Sequence, residues 1–263
     1  MSPITAKEVS HSMTSKPTLC ALQFAYEGRS FEENFATLHA LVEQTPPNSI
    51  VLAPELCLSA YSYDKMEKAA EFSVAMLPKL AKLSTCKTLG LTLIEKINAG
   101  YVNNFKLFHH GALIYTQSKA KLFTLGEEEH YFRAGNSEDI RIIDVDGIKI
   151  AVLICFEIRF PILWEQIKGA DLILVPAYWG KLRKNHFEAL TRALAIANQA
   201  YVLCANGADE SMAKSSAIIS PFGDVTSDDT SRRIQQTFDF SEIKKMRRYL
   251  DIGLNHNAAN GSL

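Results

Sequence analysis

Ile148-Lys149-Ile150-Ala151-Val152-Leu153-Ile154-Cys155-Phe156-Glu157-Ile158-Arg159-Phe160-Pro161 changes character halfway along. Through Ile154 it is almost unbroken aliphatic, which suits a strand covered on both faces rather than one with a solvated side. From Cys155 the pattern switches, and Pro161 opens a helical pattern reaching Lys168, as a proline is tolerated in the first turn of a helix. A strand that feeds a helix through a short turn is a building unit of α/β folds. A thiol on such a turn stands on a sharp bend, near backbone N–H groups that can stabilise charge.

Working outward, comparable apolar or β-branched runs recur at Thr18–Phe24, Ser49–Ala53, Thr88–Ile94, Ala112–Gln117, Ile140–Val145, Asp171–Pro176, Ala200–Asn206, Ser215–Ser220 and Ile234–Phe238. These read as strands. Helical spacing marks Phe31–Gln44, Phe72–Leu83, Pro161–Lys168, Asn185–Gln199 and Ser241–Tyr249. Asp144-Val145-Asp146-Gly147 and Pro221-Phe222-Gly223-Asp224 carry hairpin-turn chemistry, whereas other connections are strand-helix-strand. A sheet fed by both kinds of connection is mixed and has helices on one face, so its other face needs a second sheet. The expected architecture is a single α/β domain of two stacked mixed sheets with helices outside. Residues 1–17 are expected to form a flexible N-terminal extension and 255–263 a frayed tail, leaving 18–254 as the folded domain.

The 263 residues carry 28 Lys+Arg against 29 Asp+Glu, a balance that removes the electrostatic case for nucleic acid or an acidic membrane. No stretch approaches the ~20 apolar residues that cross a bilayer, and the first residues lack the apolar centre of a signal peptide. Cys20, Cys57, Cys86, Cys155 and Cys204 are an odd set without a CxxC pair, so neither a disulfide framework nor a zinc site is expected. A reducing, cytoplasmic setting fits them.

Three positions offer reactive groups just past apolar runs. Glu55 follows Ile50-Val51-Leu52-Ala53-Pro54, where Pro54 stops the strand and a cleft of low dielectric would tune the carboxyl as a general base. Lys121, in Ser118-Lys119-Ala120-Lys121-Leu122-Phe123, could favour a thiolate and hold an oxyanion, with Lys119 as its solvated partner. Cys155 is the nucleophile of this set. Each also has an ordinary structural reading, as a surface carboxylate, a solvated cation and a small buried hydrophobe. One carboxylate of Glu127-Glu128-Glu129 could join them. Glu157 and Arg159 read as braces of the turn. His109 and His110, as neighbours on a strand, would point to opposite faces and not share a metal. A Cys–His hydrolase using His130 or His186 stays open.

Taken in order, Ala53-Pro54-Glu55, Lys121-Leu122-Phe123 and Cys155 with Arg159-Phe160-Pro161 resemble the nitrilase superfamily of carbon–nitrogen hydrolases. The resemblance spans about Thr18 to Phe240. It includes Glu128 through Tyr131-Phe132 to Gly135, Asp171-Leu172-Ile173-Leu174-Val175-Pro176-Ala177, the helix Phe187–Asn198 and Ser216 to Gly223. It implies an α-β-β-α sandwich paired into a homodimer or larger homo-oligomer, with no metal or organic cofactor. It implies Glu55 as general base, Lys121 as the oxyanion-stabilising lysine, Cys155 as nucleophile and Glu128 as a second glutamate, chosen over its neighbours by its spacing to Gly135. Glu157 stands where the family commonly has Asp, and Ala197 where many members have Glu. Phe156-Glu157 lies between the amidase pattern and the Trp-Glu of true nitrilases.

The implied reaction is hydrolysis of a small-molecule amide by water through a Cys thioester, releasing ammonia or an amine. The substrate wall is expected around Phe156, Tyr178 and Trp179. An N-carbamoyl amine hydrolase would use the same residues, and a non-catalytic binding member is the reading from another class. A carboxylate anchor would separate the first two, and position alone does not qualify Arg159, Lys181 or Arg183 as one.

Overall fold

β1 (Thr18–Leu22) is buried along nearly all its length, so layers must cover both of its faces. The computed structural model describes residues 16–254. The expectations for 1–15 and 255–263 therefore lie outside the described residues. Lys16 and Pro17 are tied down, the first paired with Asp239 at 3.0 Å and the second accepting the Phe238 N–H at 2.9 Å.

After β1 come α1 (Phe31–Glu43), β2 (Ser49–Leu52), α2 (Met66–Leu83), β3 (Thr88–Ile97), β4 (Gly100–His109) and β5 (Ala112–Ser118). The second half holds α3 (Glu128–Tyr131), β6 (Ile143–Val145), β7 (Ile148–Val152), α4 (Pro161–Gln166), β8 (Leu172–Ala177), α5 (Lys184–Asn198), β9 (Tyr201–Asn206), β10 (Ala217–Ile219) and β11 (Val225–Ser227). β12 (Arg233–Thr237) and α6 (Phe240–Tyr249) follow. The strands form two six-stranded sheets, ordered β12-β1-β2-β3-β4-β5 and β11-β10-β9-β8-β7-β6. β1, β2 and β3 are parallel, as are β7, β8 and β9, and antiparallel strands flank each trio. Both sheets are therefore mixed.

The period of two divides each central strand between two cores. Leu19, Ala21, Ile50 and Leu52 share one core with Ile150, Val152, Leu174 and Leu203 of the other sheet. The intervening Cys20, Leu22 and Val51 meet Leu38, Leu41 and Val42 of α1 and Met76 and Leu80 of α2. On the far side Phe187, Leu194 and Ala195 of α5 cover the second sheet. Each fully buried large aliphatic contributes about 1.5–3 kcal/mol of transfer free energy. α1 starts at a capping box, in which the Ser30 hydroxyl accepts the Glu33 N–H at 3.2 Å and the Glu33 carboxylate accepts the Ser30 N–H at 2.9 Å. Among the described residues no helix is long and apolar enough to cross a membrane.

Two strands escape a sequence reading, β4 and β11. In β4 the polar Asn103, Asn104 and Lys106 interrupt the apolar pattern, yet all three are buried because each finds a partner. The end of β4 also corrects the expectation for the adjacent histidines. His109 closes the strand, but His110 has φ +47° and has already entered the turn, so alternation no longer applies. The two rings lie 4.1 Å apart and both face Asp146.

Candidate active site

Four side chains meet where the two sheets face each other. Glu55 follows β2 beyond Pro54, and its N–H crosses to the second sheet to bond the Ala177 carbonyl at 3.1 Å. Its carboxylate is fully buried. Oε1 accepts Asn103 Nδ2 at 2.9 Å and a lysine Nζ at 2.8 Å, whereas Oε2 is buried with no hydrogen-bond partner.

That lysine is Lys119, not Lys121, which corrects the assignment made from sequence. Tyr115, Gln117 and Lys119 follow the inward parity of β5, and the chain stays in register through Lys119, whose N–H bonds the Asn103 carbonyl at 2.8 Å. The Ala120 N–H then turns away to Glu157 Oε1 at 2.6 Å. Parity alone fits both lysines; the end of the ladder decides between them. Lys119 is fully buried and reaches Glu55 at 2.8 Å and Glu128 at 2.6 Å. Lys121 is half-buried beyond the turn, with Nζ 5.5 Å from the centre of the Phe160 ring. Burial acts to lower the Lys119 pKa, but the carboxylates of Glu55 and Glu128 help to raise it overall, so the group is an ammonium at neutral pH.

Glu128 opens α3 and is 2% exposed, while Glu127 and Glu129 face solvent. Its Oε1 accepts Lys119 and the Tyr61 hydroxyl at 2.9 Å, and its Oε2 accepts the Phe123 N–H at 3.1 Å. Burial raises its pKa against the pull of Lys119. Asn103 and Tyr61 are the members of the cluster that sequence reasoning missed. Asn103 was hidden by the broken period of β4.

Cys155 comes from the other sheet, past the end of β7. It has φ +50°, costly for a residue with a Cβ, and opens a single 3₁₀ turn, Cys155–Arg159. Glu157 holds this bend. Its two carboxylate oxygens accept the Ile154 and Ala120 N–H groups, each at 2.6 Å, so it braces backbone on both sheets rather than pairing with Arg159. Cys155 is 7% exposed. Burial pushes its thiol well above the usual range and the charge of Glu55 adds to this, while Lys119 pulls down without cancelling it. The Cys155 thiol is therefore held in its protonated form, not as the ready thiolate expected beside a cation.

A narrow cleft leads to the thiol, lined by Phe123, Phe156, Arg159, Tyr178, Trp179 and Arg183. Phe156, Tyr178 and Trp179, the expected wall, are thus brought to Cys155. Tyr178 packs on Tyr61 and Tyr26 with centroids at 5.2 and 5.6 Å. Arg159 lies 4.5 Å above Trp179 and bonds His186 at 3.1 Å. His130 and His186 are exposed and outside the buried cluster.

The sequence model of the carbon–nitrogen hydrolase family matches residues 18–248. The chain belongs to this family, in the nitrilase superfamily, and is an enzyme of the carbon–nitrogen hydrolase class. It is 28% identical over 251 residues to a 2-oxoglutaramate amidase of Bacillus subtilis, covering 90% of this chain and 96% of that protein. An omega-amidase of Escherichia coli is 29% identical over 158 residues, 60% of this chain and 61% of the relative. Among solved structures, Nit3 of Saccharomyces cerevisiae, described as a member of branch 10 of the nitrilase superfamily, superposes with a TM-score of 0.79 at 23% identity. That match covers 91% of this chain and 96% of the yeast protein.

Proposed function

We propose that the protein hydrolyses the amide of a small monoamide whose other end is a carboxylate, through a thioester on Cys155. The observation that carries the chemistry is the unpartnered Glu55 Oε2, buried beside a thiol that is protonated at rest. Glu55 takes the thiol proton as Sγ attacks the carbonyl carbon. The oxyanion is held by the Lys119 ammonium and a backbone N–H at Phe156. Glu55 returns the proton to the nitrogen, ammonia leaves and the thioester remains. Glu55 then draws a proton from water, which attacks the thioester carbon. The thiolate leaves and is reprotonated, and the acid product departs. Glu128 and Asn103 act by fixing Lys119 and Glu55.

The substrate class rests on the cleft. Arg159 and Arg183 line it together, and the Arg159 pKa is lowered first by burial and then by the charge of Arg183. An anion between the guanidinium groups would relieve that repulsion and find bidentate donors. Trp179 also keeps a buried indole N–H without an acceptor. The names of the relatives agree with this class. The nearest competing reading, an N-carbamoyl substrate, would use the same four groups.

A panel of dicarboxylic monoamides, their uncharged analogues, N-carbamoyl amino acids and nitriles, scored by ammonia release, tests both parts. Release is expected from the charged monoamides and is lost in Cys155→Ala; equal release from both proteins overturns the enzyme reading. Arg183→Ala is expected to raise KM for the charged monoamide about tenfold or more, the value of about 1.4 kcal/mol, with the uncharged analogue unaffected. Mass spectrometry of a quenched reaction should show the acyl adduct on the Cys155 peptide.

A further inference from the structure

The histidines at the end of β4 lie far from this chemistry. Asn103 touches Glu55 and His109 is six residues further along the same strand, so the separation is about 20 Å at ~3.3 Å per residue. Here the β4–β5 turn of one sheet meets the β6–β7 turn of the other. Asp146, at φ +52° in the latter turn, presents Oδ2 to His109 Nε2 at 3.3 Å and to His110 Nε2 at 3.8 Å.

Both ring nitrogens on the far side are engaged. His110 Nδ1 lies 3.2 Å from the Thr85 carbonyl, which can only accept, so that nitrogen carries a proton and the neutral ring turns its Nε2 lone pair toward Asp146. His109 Nδ1 is 2.9 Å from the Thr88 hydroxyl, its cross-strand partner in the β3–β4 ladder. That hydroxyl can accept from Nδ1, and in this tautomer His109 also turns its Nε2 lone pair toward Asp146, so that two imidazole nitrogens and a carboxylate oxygen converge as a cation's ligands would. Hydrogen bonding at the second nitrogen is the arrangement that orients metal-binding histidines.

We propose that His109, His110 and Asp146 form a divalent transition-metal site, suited to Zn²⁺, that clips the two sheets together at the end opposite the active site. Tetrahedral zinc with ligands at about 2.0–2.2 Å sets them about 3.4 Å apart. The distances present, 3.3 and 3.8 Å, differ from this by a few tenths of an ångström. All the candidate ligand atoms lie within 4.8 Å of one another. His110 and Asp146 are largely exposed, at 52% and 66% of their side chains, so the ion can enter from solvent and keep water as its fourth ligand. The site supplies no group to the hydrolytic reaction. It stands independently of the substrate assigned above.

The test is calorimetric titration of Zn²⁺ into the full, tag-free chain after chelator treatment and gel filtration. One ion per chain is expected, with a rise in the unfolding temperature on saturation. In His110→Ala and Asp146→Ala, both surface changes, binding should weaken at least tenfold and the thermal shift disappear. Their circular dichroism and unfolding temperature in chelator should match the parent. Cys86→Ser should bind as the parent does. Co²⁺ in place of Zn²⁺ should give visible ligand-field bands without thiolate charge transfer. Failure of the parent to bind, unchanged binding in His110→Ala and Asp146→Ala, or a thiolate band that vanishes with a cysteine overturns the proposal.

Discussion

Replacing Lys119 with Met strands two buried carboxylates beside each other. Removing one member of a buried ion pair costs about 3–5 kcal/mol, and in the mechanism proposed above the loss of this oxyanion donor should cost about 10²–10³ in kcat. Lys121→Met, in contrast, should keep stability within about 1 kcal/mol and most of the activity, since it removes only a half-exposed contact with Phe160. Urea unfolding and steady-state kinetics of the two variants check this pair of outcomes. The thiol reports the same electrostatics with opposite signs. Glu55 raises the Cys155 pKa, so Glu55→Gln should alkylate at lower pH than the parent while losing hydrolysis. Lys119 lowers it, so Lys119→Met should require higher pH. Both shifts are read from the pH dependence of iodoacetamide labelling. At this scale the sequence showed chemistry in local context, a carboxylate after Pro54 and a thiol before a helix. It could not rank two lysines of equal parity, because the choice depends on where a ladder ends.

At the scale of elements, what matters is how turns hold the site's residues. Gly135 donates its N–H to the Lys119 carbonyl at 2.8 Å, and a Cβ there would sit 2.4 Å from the Ser118 carbonyl oxygen. Gly135→Ala must therefore push the backbone that carries Lys119. A loss of about 1–3 kcal/mol is expected, with kcat falling more than KM rises. Thermal unfolding and kinetics on the same preparation measure both. Glu157 adds a pH dependence, since burial lifts its pKa to about 7 from 4.5 against the pull of the Ile154 and Ala120 N–H bonds. A pKa raised on folding gives stability that is complete below about 4.5 and is lost as pH rises through 7. Relative to Glu157→Gln, the wild type should lose roughly 2–3 kcal/mol across that range, at 1.36 kcal/mol per pKa unit. Denaturant midpoints of both proteins at pH 4.5 and 8 decide it. Strands with unbroken aliphatic runs, such as β7 and β8, were legible from sequence. β4 was not, because its polar residues are satisfied only by side chains distant in sequence.

Across the whole molecule, the order of layers was legible from the mixture of hairpins and helical crossovers, but the seam between the sheets was not. Glu55, Asn103 and Lys119 project from one sheet, Cys155 and the aromatic wall from the other, and hydrogen bonds from the Glu55 N–H to Ala177 and from the Ala120 N–H to Glu157 mark where they touch. β12 returns from the far end of the chain to close the edge of β1, so the first sheet is complete only after the second has been laid down. A chain caught with its layers apart therefore carries Cys155 on one body and Glu55 on another, and the cluster exists only where the two sheets have closed on each other.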